Sequence, residues 1–306
     1  MLPGLETSRN HCQPLGKEDT VRVQDHRYLI IGGAPKAGTT SLYKWLANHP
    51  DVCASSLKET RFFLDEGYPL PSAKRFDGQN LDSYDGFFTH CRNEGDKLRV
   101  EATPDYLYSK NALQIAELLP KAKIVFILRD PVDRVVSWYK YARQRGFVSP
   151  GMSFEQYVRY QVDNPVTPET PVYMRALEQS RYEKYLEGFK SAFVDRLLVV
   201  DFLTLKNNPQ HVMSEILLFA NISPYEYLKD ELKAENVSKN KSETVIGKLY
   251  SSLRTRLTYL YYDYPLVYGV LKPVNGILKR VLPIYRDDKY SIDVTDDVRR
   301  SIVDYV

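Results

Sequence analysis

The chain has 306 residues, 43% hydrophobic and 26% charged, with a formal net charge of +3. That length supplies one large domain or two small ones with a real core, and the near balance of charge gives no electrostatic case for a nucleic-acid partner. No apolar stretch reaches the roughly 18–20 residues of a spanning helix, and three widely spaced cysteines, Cys12, Cys53 and Cys91, show neither zinc-ligand spacing nor a disulfide framework, so a reducing compartment is expected.

In chain order, residues 1–26 are polar and read as a loose arm, without the basic and then apolar regions of a signal peptide. Residues 28–33, YLIIGG, read as a buried strand, and 39–50, TTSLYKWLANHP, as a helix stopped by Pro50. Residues 51–110 alternate short elements with loops rich in Asp, Gly and Pro. NALQIAELLP (111–120) has helical spacing, AKIVFILRD (122–130) is a second apolar strand, and DRVVSWYKYARQRG (133–146) is a helix ending at Gly146. RYEKYLEGFKSAF (181–193) is an amphipathic helix, RLLVVDFLTL (196–205) a third strand-like run, and PQHVMSEILLFANI (209–222) another helix. Strands that are apolar throughout and alternate with helices imply an α/β fold, a parallel sheet covered on both faces. Such sheets bind ligands at the carboxyl ends of their strands.

Two loops at predicted strand ends suit anions. Gly33-Ala34-Pro35-Lys36-Ala37-Gly38-Thr39-Thr40 keeps the frame of a phosphate loop, but its lysine stands inside the loop rather than after the last glycine. Backbone amides and the helix start would face the anion, with hydroxyls from Thr39 and Thr40. An ordinary strand-to-helix turn with a solvent-facing lysine is the plainer alternative. In the second loop, LRDPVDRVVS (128–137), the planar guanidinium of Arg129 can grip a phosphate and Ser137 can add a hydroxyl two turns later. Arg134 reads as a structural ion pair. Two such loops in one sheet fit a ligand with two separated phosphate groups.

These residues carry a resemblance. PKAGTTSL (35–42) resembles the 5′-phosphosulfate loop of sulfotransferases that use 3′-phosphoadenosine 5′-phosphosulfate (PAPS), and LRDPVDRVVSWY (128–139) resembles their 3′-phosphate motif. HPDVCASSLKETRFF (49–63) and EATPDYLYS (101–109) are similar to segments of the carbohydrate branch, which includes the heparan sulfate enzymes. The match runs over residues 27–245 and implies a phosphate-loop-like sulfotransferase core there, with 246–306 as a helical basic extension of the same domain.

The resemblance implies that Lys36, Ala37, Gly38, Thr39, Thr40 and Ser41 hold the 5′-phosphosulfate, that Arg129 and Ser137 hold the 3′-phosphate, and that Glu59 is the general base. Where some members carry a second lysine this chain has Ala102, so no role transfers to that position. Without a late cysteine pair or a Golgi anchor, the chain looks like a soluble bacterial-type member. In the implied reaction an acceptor hydroxyl or amine attacks sulfur in line, Lys36 stabilises charge on the bridging oxygen, and adenosine 3′,5′-bisphosphate (PAP) leaves. No metal is expected. Glu59 has a plainer reading as a glutamate paired to Lys58 or Arg61, and His49 and His90 are alternative bases, with His49 better suited to closing the turn after the first helix. Phe62 and Phe63 read as core; Tyr106 and Tyr108 suit either core or an acceptor cleft.

Residues 246–286 combine basic, aromatic and apolar residues, which suits either a helical subdomain closing over the nucleotide or peripheral contact with a membrane or glycolipid. The preceding 234–244 reads as a nucleotide-covering loop with Lys239 and Lys241 as phosphate contacts. The expected partner is a carbohydrate, glycolipid or other small hydroxyl acceptor, and the expected location the cytoplasm, at most peripheral to the inner membrane face. A phosphate-loop kinase and a non-catalytic nucleotide-binding relative are the alternatives.

Overall fold

Continuous apolar runs form the centre of a parallel sheet in the computed structural model, which describes residues 22–72, 74–91, 95–149, 151–233, 241–243, 246, 249, 285–287 and 292–306. Its strands are β1 (Tyr28–Gly33), β2 (Val52–Ala54), β3 (Leu98–Ala102), β4 (Ala122–Leu128) and β5 (Leu197–Asp201), in the order β2-β3-β1-β4-β5 and all parallel. Every residue of β1 is buried, as a central strand covered on both faces requires. From β1 the chain crosses to β2 and β3 on one side, and after β3 it crosses back past β1 to β4 and β5 on the other, so the winding reverses at β1 and opens a crevice above its carboxyl end.

The helices are α1 (Thr39–Ala47), α2 (Asp82–Asp85), α3 (Ile115–Leu118), α4 (Pro131–Gln144), α5 (Phe154–Asp163), α6 (Tyr182–Phe193), α7 (Phe202–Asn207), α8 (Pro209–Phe219) and α9 (Asp296–Tyr305). Asp130 caps α4 by accepting from the Asp133 amide at 2.9 Å, with Pro131 as the first helical residue, where its missing N–H costs nothing. On α9, Val298 and Ile302 are buried, and the helix packs on α4 and α5. Among the described residues no helix is long and apolar enough to cross a membrane.

Three expectations are corrected. The run 196–205 is not one strand: β5 stops at Asp201, whose carboxylate accepts from the Thr204 amide at 2.7 Å and its hydroxyl at 2.9 Å, and so starts α7. The helix expected over 111–120 begins as a 3-10 turn, Asn111–Gln114, and only then becomes α3. Cys53 and Cys91, expected to be free, form a disulfide with a Cα–Cα separation of 6.0 Å. It fastens β2 to the 3-10 turn Gly86–Cys91, where the Ser56 amide also donates to the Phe87 carbonyl at 2.9 Å. Closing a loop of 38 residues stabilises by about 4 kcal/mol on the chain-entropy account. The His90 ring nitrogen lies 3.5 Å from the Cys53 sulfur.

Strand β3 went unrecognised because charges interrupt it. Arg99 is buried against the Asp85 carboxylate at 2.8 Å and the Tyr28 hydroxyl at 3.0 Å. Glu101, fully buried, accepts from the hydroxyls of Thr60 (2.6 Å), Thr103 (3.1 Å), Tyr84 (3.0 Å) and Tyr106 (3.0 Å). Burial still pushes its carboxyl above the usual range, against the opposing pull of those hydroxyls.

In the C-terminal part, Lys241–Glu243 and Tyr285–Asp287 pair as an antiparallel ribbon near α4. The remaining readings made for 234–240 and 246–284, including Lys239, the helical subdomain and the membrane contact, lie outside the described residues apart from the isolated positions 246 and 249.

Candidate active site

The loop after β1 is shaped by two left-handed residues, Lys36 at φ 73° and Gly38 at φ 87°. Gly38 is required twice over: its φ suits glycine, and a Cβ there would stand 3.2 Å from the Phe202 ring. A lysine at positive φ is strained and must be held by its surroundings. Two arginines do so from the carbonyl side: Arg134 donates to Pro35 O at 3.2 Å and Arg129 to Lys36 O at 3.4 Å. Among the described residues the amides of Lys36, Gly38, Thr39 and Thr40 have no backbone acceptor. Donors at a helix start with their carbonyls tied back form a cradle for an anion.

Helix α4 supplies one wall. Arg134 touches the loop, Tyr141 lies with its ring 4.6 Å from the Lys36 ammonium, and Ser137 stands between them at helical spacing, buried on the same face. Arg129, at the end of β4, stacks over the Phe202 ring at 4.7 Å and pairs with Asp133 at 3.6 Å. Its Nε is buried and unpartnered among the described residues, a donor left for something else to meet. Ala37 is fully buried and offers only its backbone; Thr39 and Ser41 are buried and Thr40 half-buried in the first turn of α1.

The opposite wall comes from the segment after β2. The Ala102 amide donates to Lys58 O at 2.9 Å and the Arg61 amide to the Thr103 hydroxyl at 3.1 Å, which lays residues 58–61 along the end of β3. Glu59 is held there between Lys58 at 3.0 Å and Arg61 at 2.9 Å. Burial pushes its carboxyl up, but the two cations together outweigh burial and hold it below the usual range. Lys36 moves the other way for a cation: burial, then the charges of Arg129 and Arg134, lower it to about 8, with Glu59 opposing. Asp105, in the turn Pro104–Tyr108, is buried and receives the Tyr68 hydroxyl at 2.7 Å; desolvation pushes its carboxyl up to about 6.

The structure therefore brings Lys36, Glu59 and Arg129 to one crevice, with the loop residues and Ser137 around it. Arg134 differs from expectation: it is fully buried and bound to neutral acceptors rather than ion-paired. His49 closes its turn, accepting from the Asp51 amide at 3.0 Å. His90 sits by the disulfide. Phe62, Phe63 and Tyr106 are buried in the core, and Tyr108 is tied into the Arg134 cluster, its hydroxyl donating to Gln179 O at 2.8 Å. Tyr141, Asp105 and Phe202 were not read from the sequence; only the helical spacing from Arg134 to Tyr141 carried any signal.

Similarity to known proteins gives the family and the fold. The family profile described as sulfotransferase domain matches residues 26–254. The chain is 31% identical over 211 residues to bifunctional heparan sulfate N-deacetylase/N-sulfotransferase 3 of Homo sapiens, covering 65% of this chain and 22% of that protein. It is 29% identical over 208 residues to bifunctional heparan sulfate N-deacetylase/N-sulfotransferase 1 of Xenopus laevis, covering 64% and 22%. The chain thus spans less than a quarter of the length of these relatives. The crystal structure of a sulfotransferase from Alicyclobacillus acidocaldarius superposes with a TM-score of 0.56 at 21% identity, covering 77% of this chain and 94% of that one, and shares the fold. With a strand, loop and helix arrangement of this kind and a family match over most of its length, the chain belongs to the sulfotransferase domain family.

Proposed function

We propose that this protein moves a sulfuryl group from PAPS to a hydroxyl or amino group of a carbohydrate or glycolipid. The observation that carries the reading is the meeting of two motifs some ninety residues apart: Arg129 donates to the carbonyl of Lys36 and keeps a buried Nε unpartnered. One anion-binding loop and a second anion donor at its shoulder suit a nucleotide with separated 5′ and 3′ charges. Residues 36–41 would hold the 5′ end, with Arg129 and Ser137 at the 3′-phosphate. When bound, PAPS supplies an activated sulfuryl group whose transfer needs positioning and charge stabilisation. Lys36 offers an ammonium at the loop, and the Tyr141 ring limits where it can point. Glu59 would take the proton of the acceptor. Drawing Lys58 or Arg61 away onto an acceptor oxygen would restore its basicity, coupling acceptor binding to base strength.

A carbohydrate acceptor is supported by the names of the relatives, heparan sulfate N-deacetylase/N-sulfotransferases; the match covers 22% of such a relative, and its deacetylase activity is not carried over to this chain. No metal is needed, because a phosphosulfate has no triphosphate charge to mask. The kinase alternative is set aside by family membership and by the lack of a lysine after Gly38. The Cys53–Cys91 bond bears on the compartment: disulfides persist where conditions are oxidising, which weighs against the cytoplasm expected from sequence. The test is thermal stabilisation by PAP compared with ATP–magnesium, followed by transfer of labelled sulfate from PAPS to oligosaccharides. Stabilisation by ATP–magnesium and not by PAP would sink the reading.

A further inference from the structure

We propose that Asp105 is a positioning residue for the anion-binding loop: its carboxylate fixes the proton order of a buried chain through Tyr68 and Gln179 to Arg134, which holds the Pro35 carbonyl. The proposal rests on the nucleotide-binding role of that loop. The chain reads in one direction throughout. The Tyr68 hydroxyl donates to Asp105 Oδ1 at 2.7 Å and accepts from Gln179 Nε2 at 3.3 Å. Gln179 Oε1 then accepts from Arg134 Nη2 at 3.4 Å, and Arg134 Nε donates to Pro35 O at 3.2 Å. Every member is buried.

Both ends set the order. Arg134 can only donate, which favours Gln179 with its oxygen toward Arg134 and its amide toward Tyr68, as observed. Tyr68 has one proton, and an ionised Asp105, which can only accept, draws that proton away from Gln179. Protonation of Asp105 weakens the acceptor and permits the opposite order, in which Tyr68 donates to Gln179, the amide turns over, and two donors face each other at Arg134. The bonds of Arg134 go to the neutral oxygens of Pro35, Ala176, Ser180, Tyr108 and Gln179, so Asp105 is the carboxylate that this network connects to its charge. Loosening Arg134 frees the Pro35 carbonyl beside Lys36, whose left-handed backbone needs support.

The groups around Asp105 are consistent with a carboxylate that titrates within a usable range. Desolvation raises it to about 6, Tyr68 lowers it, Glu59 raises it, and Arg61 and Arg134 lower it. Tyr108 from its own turn and Tyr141 from α4 also feel its charge. Glu59 and Asp105 are thus two carboxylates in one site with opposite displacements, the first toward ionisation and the second away from it.

The experiment measures PAP affinity calorimetrically for the wild type, Asp105→Asn and Tyr68→Phe across a pH series, with melting curves to check folding. Asp105→Asn keeps the shape and removes the charge. Its affinity is expected to fall about fivefold near pH 8, the difference between a charged and a neutral acceptor, and to converge on the wild type near pH 5, where Asp105 is itself neutral. The ratio of affinities cancels the ionisation of PAP. Tyr68→Phe, which cuts the chain between intact ends, is expected to lose affinity and to flatten the same component of the pH profile; it carries the test if Asp105→Asn does not fold. A ratio that stays constant with pH indicates mere loss of packing and overturns the proposal, as does unchanged affinity in both variants. Failure of the wild type to bind PAP would instead refute the functional reading beneath it, and this proposal with it.

Discussion

Binding of PAP at alkaline pH is expected to draw a proton onto Lys36. Its ammonium is lowered to about 8 by burial and by the charges of Arg129 and Arg134. The free protein therefore holds this lysine about half neutral near pH 8 and mostly neutral near pH 9. A phosphate arriving at the loop favours the charged form and returns the proton affinity toward the ordinary lysine range. Net uptake on binding should then rise from about a tenth of a proton near pH 7 to about a half near pH 8 and about nine-tenths near pH 9. The phosphates of PAP, with a second ionisation near pH 6, are already fully charged in that range and contribute little. Titration calorimetry in two buffers of different ionisation enthalpy reads the uptake directly, and Lys36→Met should abolish it. The same linkage requires PAP affinity to fall by up to about tenfold per pH unit above pH 8. Absence of uptake near pH 9, or uptake that persists in Lys36→Met, would refute the placement of Lys36 against the nucleotide's charge.

Glu59→Gln should keep PAP affinity and cut sulfate transfer by about 100-fold or more; unchanged turnover rejects Glu59 as the base. Arg129→Ala should weaken PAP by about 10- to 100-fold while adenosine 5′-phosphate changes far less, and equal losses would discard the 3′-phosphate assignment. Gly38→Ala forces an alanine to φ 87° and sets a Cβ 3.2 Å from the Phe202 ring. It should cost about 1–2 kcal/mol, seen as a melting temperature lower by about 2–3 °C, together with weaker PAP binding. Glu101→Gln replaces an acceptor of four hydroxyls with a group that donates from one side. A loss of about 2–3 kcal/mol is expected, and an unaltered unfolding midpoint in urea would contradict the account of β3.

Sequence alone determined the centre of the fold. β1 is apolar throughout and β4 is apolar from Ile124 to Leu128, because a central parallel strand buries both faces, and the glycine, proline and aspartate at their ends mark where the chain turns. It also marked Lys36 and Arg129 as candidates for the crevice, since both belong to turns whose residue types suit anions. Tertiary structure decided what depends on partners distant in the chain. β3 is a strand although it carries Arg99 and Glu101, because Asp85, Tyr84, Thr60 and Tyr106 arrive from elsewhere to satisfy them. Cys53 and Cys91 are a pair because β2 and the turn before β3 fold together, which no spacing rule reveals. The character of Glu59, Asp105 and Lys36 was likewise invisible: a side chain's type fixes its ordinary proton affinity, but the burial and charges around it set the actual one. Arg134 illustrates the same division, since only the folded chain places its guanidinium against the Pro35 carbonyl, beneath the loop that Lys36 completes.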